Sequence, residues 1–244
     1  HGVLLETGQF AVSASEDGTA RVWNMASKKT IGTLNNGGEA EVLRVALLDP
    51  QRATTVVTCT ADGVAQIWSR PQPNQAYGIT GRLDHCGGQI YACECLGGTP
   101  SSLLTAADNA IYLWDLEQES RQHWAFDREG TCHFGGQRNP DDEVVVFDVK
   151  PAPTQSEVIG IALSDGTLRT LDLREDAAHI IGQASDVHLT SITWRDRTTV
   201  ITCSGTGEVA SWDIRTTTRI ATIQAHERAV FGAALLDNTL LTYS

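Results

Sequence analysis

The sequence predicts an all-β protein assembled from repeated four-stranded antiparallel units, and three observations carry that prediction. First, four stretches end on the same residue types at one spacing. They run from Asp17-Gly18 to Trp23, Asp62-Gly63 to Trp68, Asp108-Asn109 to Trp114-Asp115, and Thr206-Gly207 to Trp212-Asp213. A fifth copy, Asp165-Gly166 to Leu171-Asp172, has Leu at the Trp position. Second, the turn positions follow one another at 45, 46, 57 and 41 residues. Those steps bracket the roughly 40–45-residue period of a four-stranded propeller blade, with one insertion. Third, Thr, Val and Ile are plentiful, and helical periodicity is hard to find.

Each unit reads alike. An apolar run such as Phe10-Ala11-Val12 or Thr55-Val56-Val57 precedes a small or hydroxyl residue, and an Asp-Gly turn follows. Asp-Gly suits a two-residue hairpin turn in which both central residues take positive φ. The strand after it alternates, as in Thr19-Ala20-Arg21-Val22-Trp23, so one set of side chains faces a buried sheet surface. Large apolar Trp side chains at a fixed repeat position are read as packing one blade on the next. Trp124 and Trp194 fall outside that position. The predicted blades are 1–35, 39–83, 88–126, 143–182 and 188–224, with a partial sixth at 229–244, in a single domain. A blade cannot stand alone, because its sheet must pack on its neighbours. Five blades and a fragment would leave unpaired strand edges. The expectation is therefore an excerpt of a six- or seven-bladed ring, or a ring completed by another chain.

The Asp-Gly to Trp-Asp spacing, repeated along essentially the whole chain, resembles the WD-repeat β-propeller family. That resemblance implies a rigid platform for protein binding. It also implies that a His, a Ser or Thr, an Asp and a Trp stiffen each blade through hydrogen bonds. Blade three offers His85, Thr105, Asp108 and Trp114, with Thr105 one residue closer to the Asp than Ser13 or Thr58 in their blades. His226 is placed to serve the next blade. Blade two has Asn36-Gly37-Gly38 where the His is expected, blade four lacks both His and Trp, and blade five has Thr206 for Asp. The residues assigned to the repeat framework are Asp17, Trp23, Asp62, Trp68, His85, Asp108, Trp114, Asp165 and Trp212.

The formal charge is −12, from 30 acidic and 18 basic residues, and Lys28-Lys29 is the only basic doublet. Such a surface disfavours direct nucleic-acid binding and favours basic protein segments, although solubility alone explains it too. Of the six cysteines, Cys93 and Cys95 alternate along a strand, and Cys59 and Cys203 hold matching positions before their turns. That arrangement reads as packing, without the paired spacing of a zinc site. Cys86 and Cys132 complete the set. Neither a glycosylation sequon nor a signal or membrane-spanning stretch is visible, so the expected setting is intracellular, cytoplasmic or nuclear. No nucleophile elbow, phosphate loop or metal-binding His pair is present. Asp141-Asp142-Glu143 reads as an acidic loop tip. The chain is read as no enzyme and as needing no cofactor or metal, with a propeller enzyme kept as a distant third reading.

Two features carry a partner-binding expectation. The connection from Asp127 to Asp142 holds the insertion, and His133, Phe134 and Arg138 on it form a candidate contact patch. The other is a pair of strand endings, Leu171-Asp172-Leu173-Arg174 and Trp212-Asp213-Ile214-Arg215. They resemble the paired Asp-x-Arg box of WD-repeat substrate receptors in cullin–RING ubiquitin ligases, where the resemblance implies that Arg174 and Arg215 would help dock the adaptor. A plain structural reading pairs each Arg with a carboxylate, such as Glu175 or Asp176 for the first. The function expected is a non-catalytic interaction scaffold within a larger assembly; the alternative is such a ligase receptor.

Overall fold

In the computed structural model, every regular element among the described residues is a β-strand. The structure describes residues 2–4, 9–38, 40–49, 52–72, 74–85, 88–96, 102–127, 132–135, 144–175, 177–237 and 239–244. Five sheets have at least four strands and each runs in chain order. The first holds β1 (Gly2–Leu4), β2 (Phe10–Ala14), β3 (Thr19–Asn24) and β4 (Lys29–Asn35). The second holds β5 (Val42–Leu47), β6 (Thr55–Thr60), β7 (Val64–Ser69) and β8 (Gly78–Asp84). The third holds β9 (Ile90–Cys95), β10 (Ser102–Ala107), β11 (Ala110–Asp115), β12 (Ser120–Phe126) and β13 (Cys132–Phe134). The fourth comprises β14 (Val146–Ala152), β15 (Gln155–Leu163), β16 (Thr167–Asp172) and β17 (Ala177–Gln183). The fifth comprises β18 (Leu189–Trp194), β19 (Thr199–Ser204), β20 (Glu208–Asp213) and β21 (Thr218–Gln224). A two-stranded sheet of β22 (Gly232–Leu236) and β23 (Thr239–Tyr243) follows.

The sheets have the expected all-β, antiparallel blade architecture, with one difference. The third sheet has five strands, because residues 132–134 of the insertion fold back antiparallel on β12. A three-residue strand is too short for an alternating run to announce it.

The turn chemistry also differs from expectation. Asp17, Asp62 and Asp165 keep negative φ, and only the glycine after each is left-handed, at 76° for Gly18, 82° for Gly63 and 78° for Gly166. The glycine N–H donates to the carbonyl three residues back, as in Gly18 to Ser15 at 3.3 Å and Gly166 to Leu163 at 3.2 Å. This is a longer turn in which a single left-handed glycine closes the hairpin, so only that one position needs freedom from a Cβ. A Cβ on Gly207 would also lie 2.1 Å from the His226 carbonyl oxygen. Asp17 instead accepts from the Thr19 N–H and hydroxyl, at 3.0 and 2.7 Å, which holds its carboxyl below the usual range. In the third blade the turn is one residue shorter, and positive φ falls on Asp108, at 49°.

The strands gather into two compact units, one of residues 1–107 and 113–121, the other of 108–112 and 122–244. In the first, Val12, Val22, Leu34, Val45, Val56 and Trp68 form a core against Phe10, Ile31 and Tyr77. In the second, Leu168, Ile181, Leu189, Ile192, Trp194, Val200 and Trp212 form one cluster. Ile201, Cys203, Val209 and Val230 form another beneath β22 and β23. Glycines let sheets approach: a Cβ on Gly160 would meet Ile192 at 2.6 Å, and one on Gly182 would meet the Trp212 ring at 2.8 Å.

Candidate interaction surface

The side chains able to do chemistry are mostly committed to the framework. In blade three, Trp114 Nε1 donates to Thr105 Oγ1 at 2.9 Å. That hydroxyl donates to His85 Nε2 at 2.7 Å, and His85 Nδ1 donates to the Gly63 carbonyl at 3.2 Å. A buried chain of this kind is satisfied only with His85 neutral and its proton on Nδ1. Burial depresses the His85 pKa to about 4, which keeps it so. Blade two reproduces the chain with Asn36 in the histidine's place. Trp68 Nε1 donates to Thr58 Oγ1 at 2.9 Å, Thr58 donates to Asn36 Oδ1 at 2.6 Å, and Asn36 Nδ2 donates to the Gly18 carbonyl at 3.0 Å. The Asn amide can replace the imidazole because its oxygen accepts and its NH2 donates, as the two nitrogens of the required His tautomer do.

His226 serves the sixth sheet as expected, with Nε2 2.8 Å from Thr242 Oγ1. Trp23 donates to Ser13 Oγ at 3.0 Å and Trp212 to Thr202 Oγ1 at 3.2 Å. Thr206 takes over the Asp role in blade five, 2.9 Å from Ser204 Oγ. Blade four instead places Ile161 and Leu171, both fully buried, where other blades carry hydroxyl and indole. Its Asp165 bonds the buried Arg169 at 3.0 Å, and Arg169 also reaches the Asp127 carbonyl at 3.1 Å.

Several framework residues escaped the sequence reading. Asp148 on β14 is buried, and its Oδ2 accepts from Ser191 Oγ and the Ile192 N–H on β18, each at 3.0 Å. Arg121 and Arg219 hold the second position of their strands. They lie 5.5 and 4.8 Å over the Trp114 and Trp212 rings. Each also donates to backbone at the end of an earlier fourth strand: Arg121 to Asp84 at 3.1 Å, Arg219 to Gln183 at 2.9 Å. Nothing in one isolated strand signals such a contact.

The cysteines Cys59, Cys93, Cys95, Cys132 and Cys203 are free thiols. Cys59 and Cys203 are fully buried at their matching positions. Its contact with Cys59 and its burial push the Cys93 thiol up, and burial pushes those of Cys95 and Cys203 to about 12. Such thiols are weak nucleophiles. Among the described residues, no group of three or more His, Cys, Asp or Glu side chains is placed to hold a metal ion.

What remains exposed repeats between blades four and five. Arg174 and Arg215 follow strands β16 and β20 with side chains 59% and 67% exposed. Each folds back on the aspartate of its own ending. Arg174 Nε is 2.9 Å from Asp172 Oδ1, and Arg215 Nη2 is 2.8 Å from Asp213 Oδ2. The ion-pair partner is thus the motif aspartate and not Glu175; Asp176 lies outside the described residues. Each aspartate also accepts the backbone N–H of its arginine at 2.9 Å. These bonds depress the Asp172 carboxyl and bring that of Asp213 to about 2. Asp115 caps its hairpin in the same way through Glu117 and Gln118. Aspartate after the repeat Trp is therefore first a turn-forming residue.

Of the candidate patch on the insertion, Phe134 is half exposed and packs on Trp124 in a tilted arrangement, with ring centroids 5.5 Å apart and ring planes 56° apart. His133 is described in its backbone alone, opposite Ala125. Arg138 and the acidic tip Asp141-Asp142-Glu143 lie outside the described residues.

Residues 4–24 match the family model of the WD domain, G-beta repeat. The chain is 27% identical to Jouberin of Rattus norvegicus over 191 residues, covering 72% of this chain and 17% of that protein. A chain in the crystal structure of a mitotic checkpoint complex superposes with a TM-score of 0.77 at 15% identity. That superposition covers 100% of this chain and 70% of that one. It establishes the blade architecture and nothing finer.

Proposed function

We propose that this chain, a WD-repeat β-propeller, is a non-catalytic scaffold that holds protein or peptide partners within a larger intracellular assembly, in the cytoplasm or nucleus. One observation carries the reading. The His, Thr, Asp and Trp side chains at the repeat positions are spent on one another and on backbone, as in the His85–Thr105–Trp114 chain. The exposed functional groups, such as Arg174, Arg215 and Phe134, sit on hairpins and on the insertion. Surfaces of that kind bind, and fold alone assigns no chemistry. The matched neighbour belongs to a multiprotein complex, which agrees with the proposal. A net charge of −12 favours partners that present basic segments.

The test is cross-linking in cells followed by reconstitution. Cross-links should map to the hairpins and the insertion, and the purified partner should bind the purified chain with a Kd of about 10⁻⁵ M or tighter. Recovered partners that fail to bind the purified chain overturn the reading.

A second reading, a substrate receptor of a cullin–RING ubiquitin ligase, draws on the matched geometry and exposure of Arg174 and Arg215. Arg174→Ala together with Arg215→Ala should leave the thermal unfolding midpoint essentially unchanged, as exposed ion pairs contribute little. Unchanged capture of the ligase adaptor by that double variant would end this reading.

A further inference from the structure

Five fourth strands are each seven residues long: β4, β8, β12, β17 and β21. Counted along them, the seventh residue is Asn35, Asp84, Gln183 or Gln224 in four blades, all polar and exposed. In β12 it is Phe126, 1% exposed. The fifth residue is Thr33, Arg82, Ile181 or Thr222 elsewhere, and Trp124, fully buried, in β12. Positions five and seven lie on the same face of a strand. Blade three thus presents two large aromatic side chains where its counterparts are mostly polar.

β13 pairs with this strand in antiparallel register, Trp124 with Phe134 and Phe126 with Cys132, and Gly135 N–H donates to the His123 carbonyl at 2.9 Å. Among the described residues the pairing is three residues long, and Phe134 keeps about half of its surface in water. A short strand with one aromatic anchor is held chiefly by its covalent tether, at an effective concentration on the order of millimolar.

We propose that the β12 edge of blade three is a docking site for an extended partner segment bearing an aromatic residue opposite Trp124, and that β13 occupies it as the chain's own competitor. The occupant's chemistry is read from β13: main-chain hydrogen bonds to β12 and an aromatic ring on Trp124. This rests on the scaffold reading and names one kind of partner for it.

The probe is a fluorescein-labelled peptide of residues 131–137 carrying Cys132→Ser, titrated by anisotropy against the full chain. Two variants weaken β13: Phe134→Ser, and replacement of residues 132–134 by Gly-Ser-Gly. Both are checked for native circular dichroism, and the single change keeps the test available if the replacement disturbs folding. Peptide affinity should rise by on the order of tenfold or more in the variants. A peptide carrying Phe134→Ser should lose binding. Equal affinity for wild type and variants, or no binding to folded variants, overturns the proposal. A concentration-dependent dimer in place of peptide binding also overturns it, assigning the edge to a second copy. Failure here leaves the scaffold reading standing on its cross-linking test.

Discussion

His85 and Asn36 perform one task with different proton chemistry. Both accept from a threonine hydroxyl and donate to a turn-glycine carbonyl. Only the histidine titrates. Its pKa is about 4 when buried and 6.5 as the ordinary value, so the unfolded chain takes up the proton first as pH falls. The stability it contributes is complete above about pH 6.5 and is lost as pH drops toward 4. That loss totals on the order of 3 kcal/mol, of which about 2 kcal/mol is gone by pH 5. His85→Asn should fold and should lack this component, as blade two already does. Urea unfolding of wild type and variant at pH 7.5 and 5 measures the difference. An identical pH dependence in both would show that His85 is not the titrating group. The tetrad positions were legible in the sequence because they recur at fixed offsets. The Asn substitution was legible only as a gap, since hydrogen-bond equivalence is not a property of spacing.

Blade four shows what a blade does without the lock. Hydroxyl and indole are absent together, replaced by the fully buried Ile161 and Leu171, so no donor is stranded. Removing one partner alone is the costly change. Thr202→Val should leave the buried Trp212 N–H without its acceptor and cost about 1–2 kcal/mol. Thr202→Val with Trp212→Phe should show a coupling of about 1 kcal/mol in a double-mutant cycle of denaturant unfolding. Additive losses would mean that the 3.2 Å bond contributes nothing. Strands elsewhere were readable from alternation and Trp spacing, and this blade from its Asp165-Gly166 to Leu171-Asp172 copy of the same spacing. The turn type was not, because Asp-Gly fits two turn geometries and the chain uses the one with a single left-handed residue. β13 was also hidden, since three residues carry no period and only the apolar Trp124 and Phe126 on β12 hint at a cover.

Across the whole chain, charge is the property the sequence states most directly. With a net charge of −12, association with a basic partner segment should be accelerated at low ionic strength. The rate should fall steeply between about 20 and 500 mM salt as the Debye length contracts. Stopped-flow mixing with the cross-linked partner's purified segment measures this, and a salt-independent rate would exclude electrostatic steering. Residues that join one sheet to the next, such as Asp148, Arg121 and Arg219, were unreadable because their partners lie 35 or more positions away. Buried and donated to the Gly63 carbonyl, the Nδ1 hydrogen of His85 should exchange slowly with bulk water. It should therefore give its own line far downfield in a proton NMR spectrum, and the temperature at which that line broadens away times the loosening of one blade without any label.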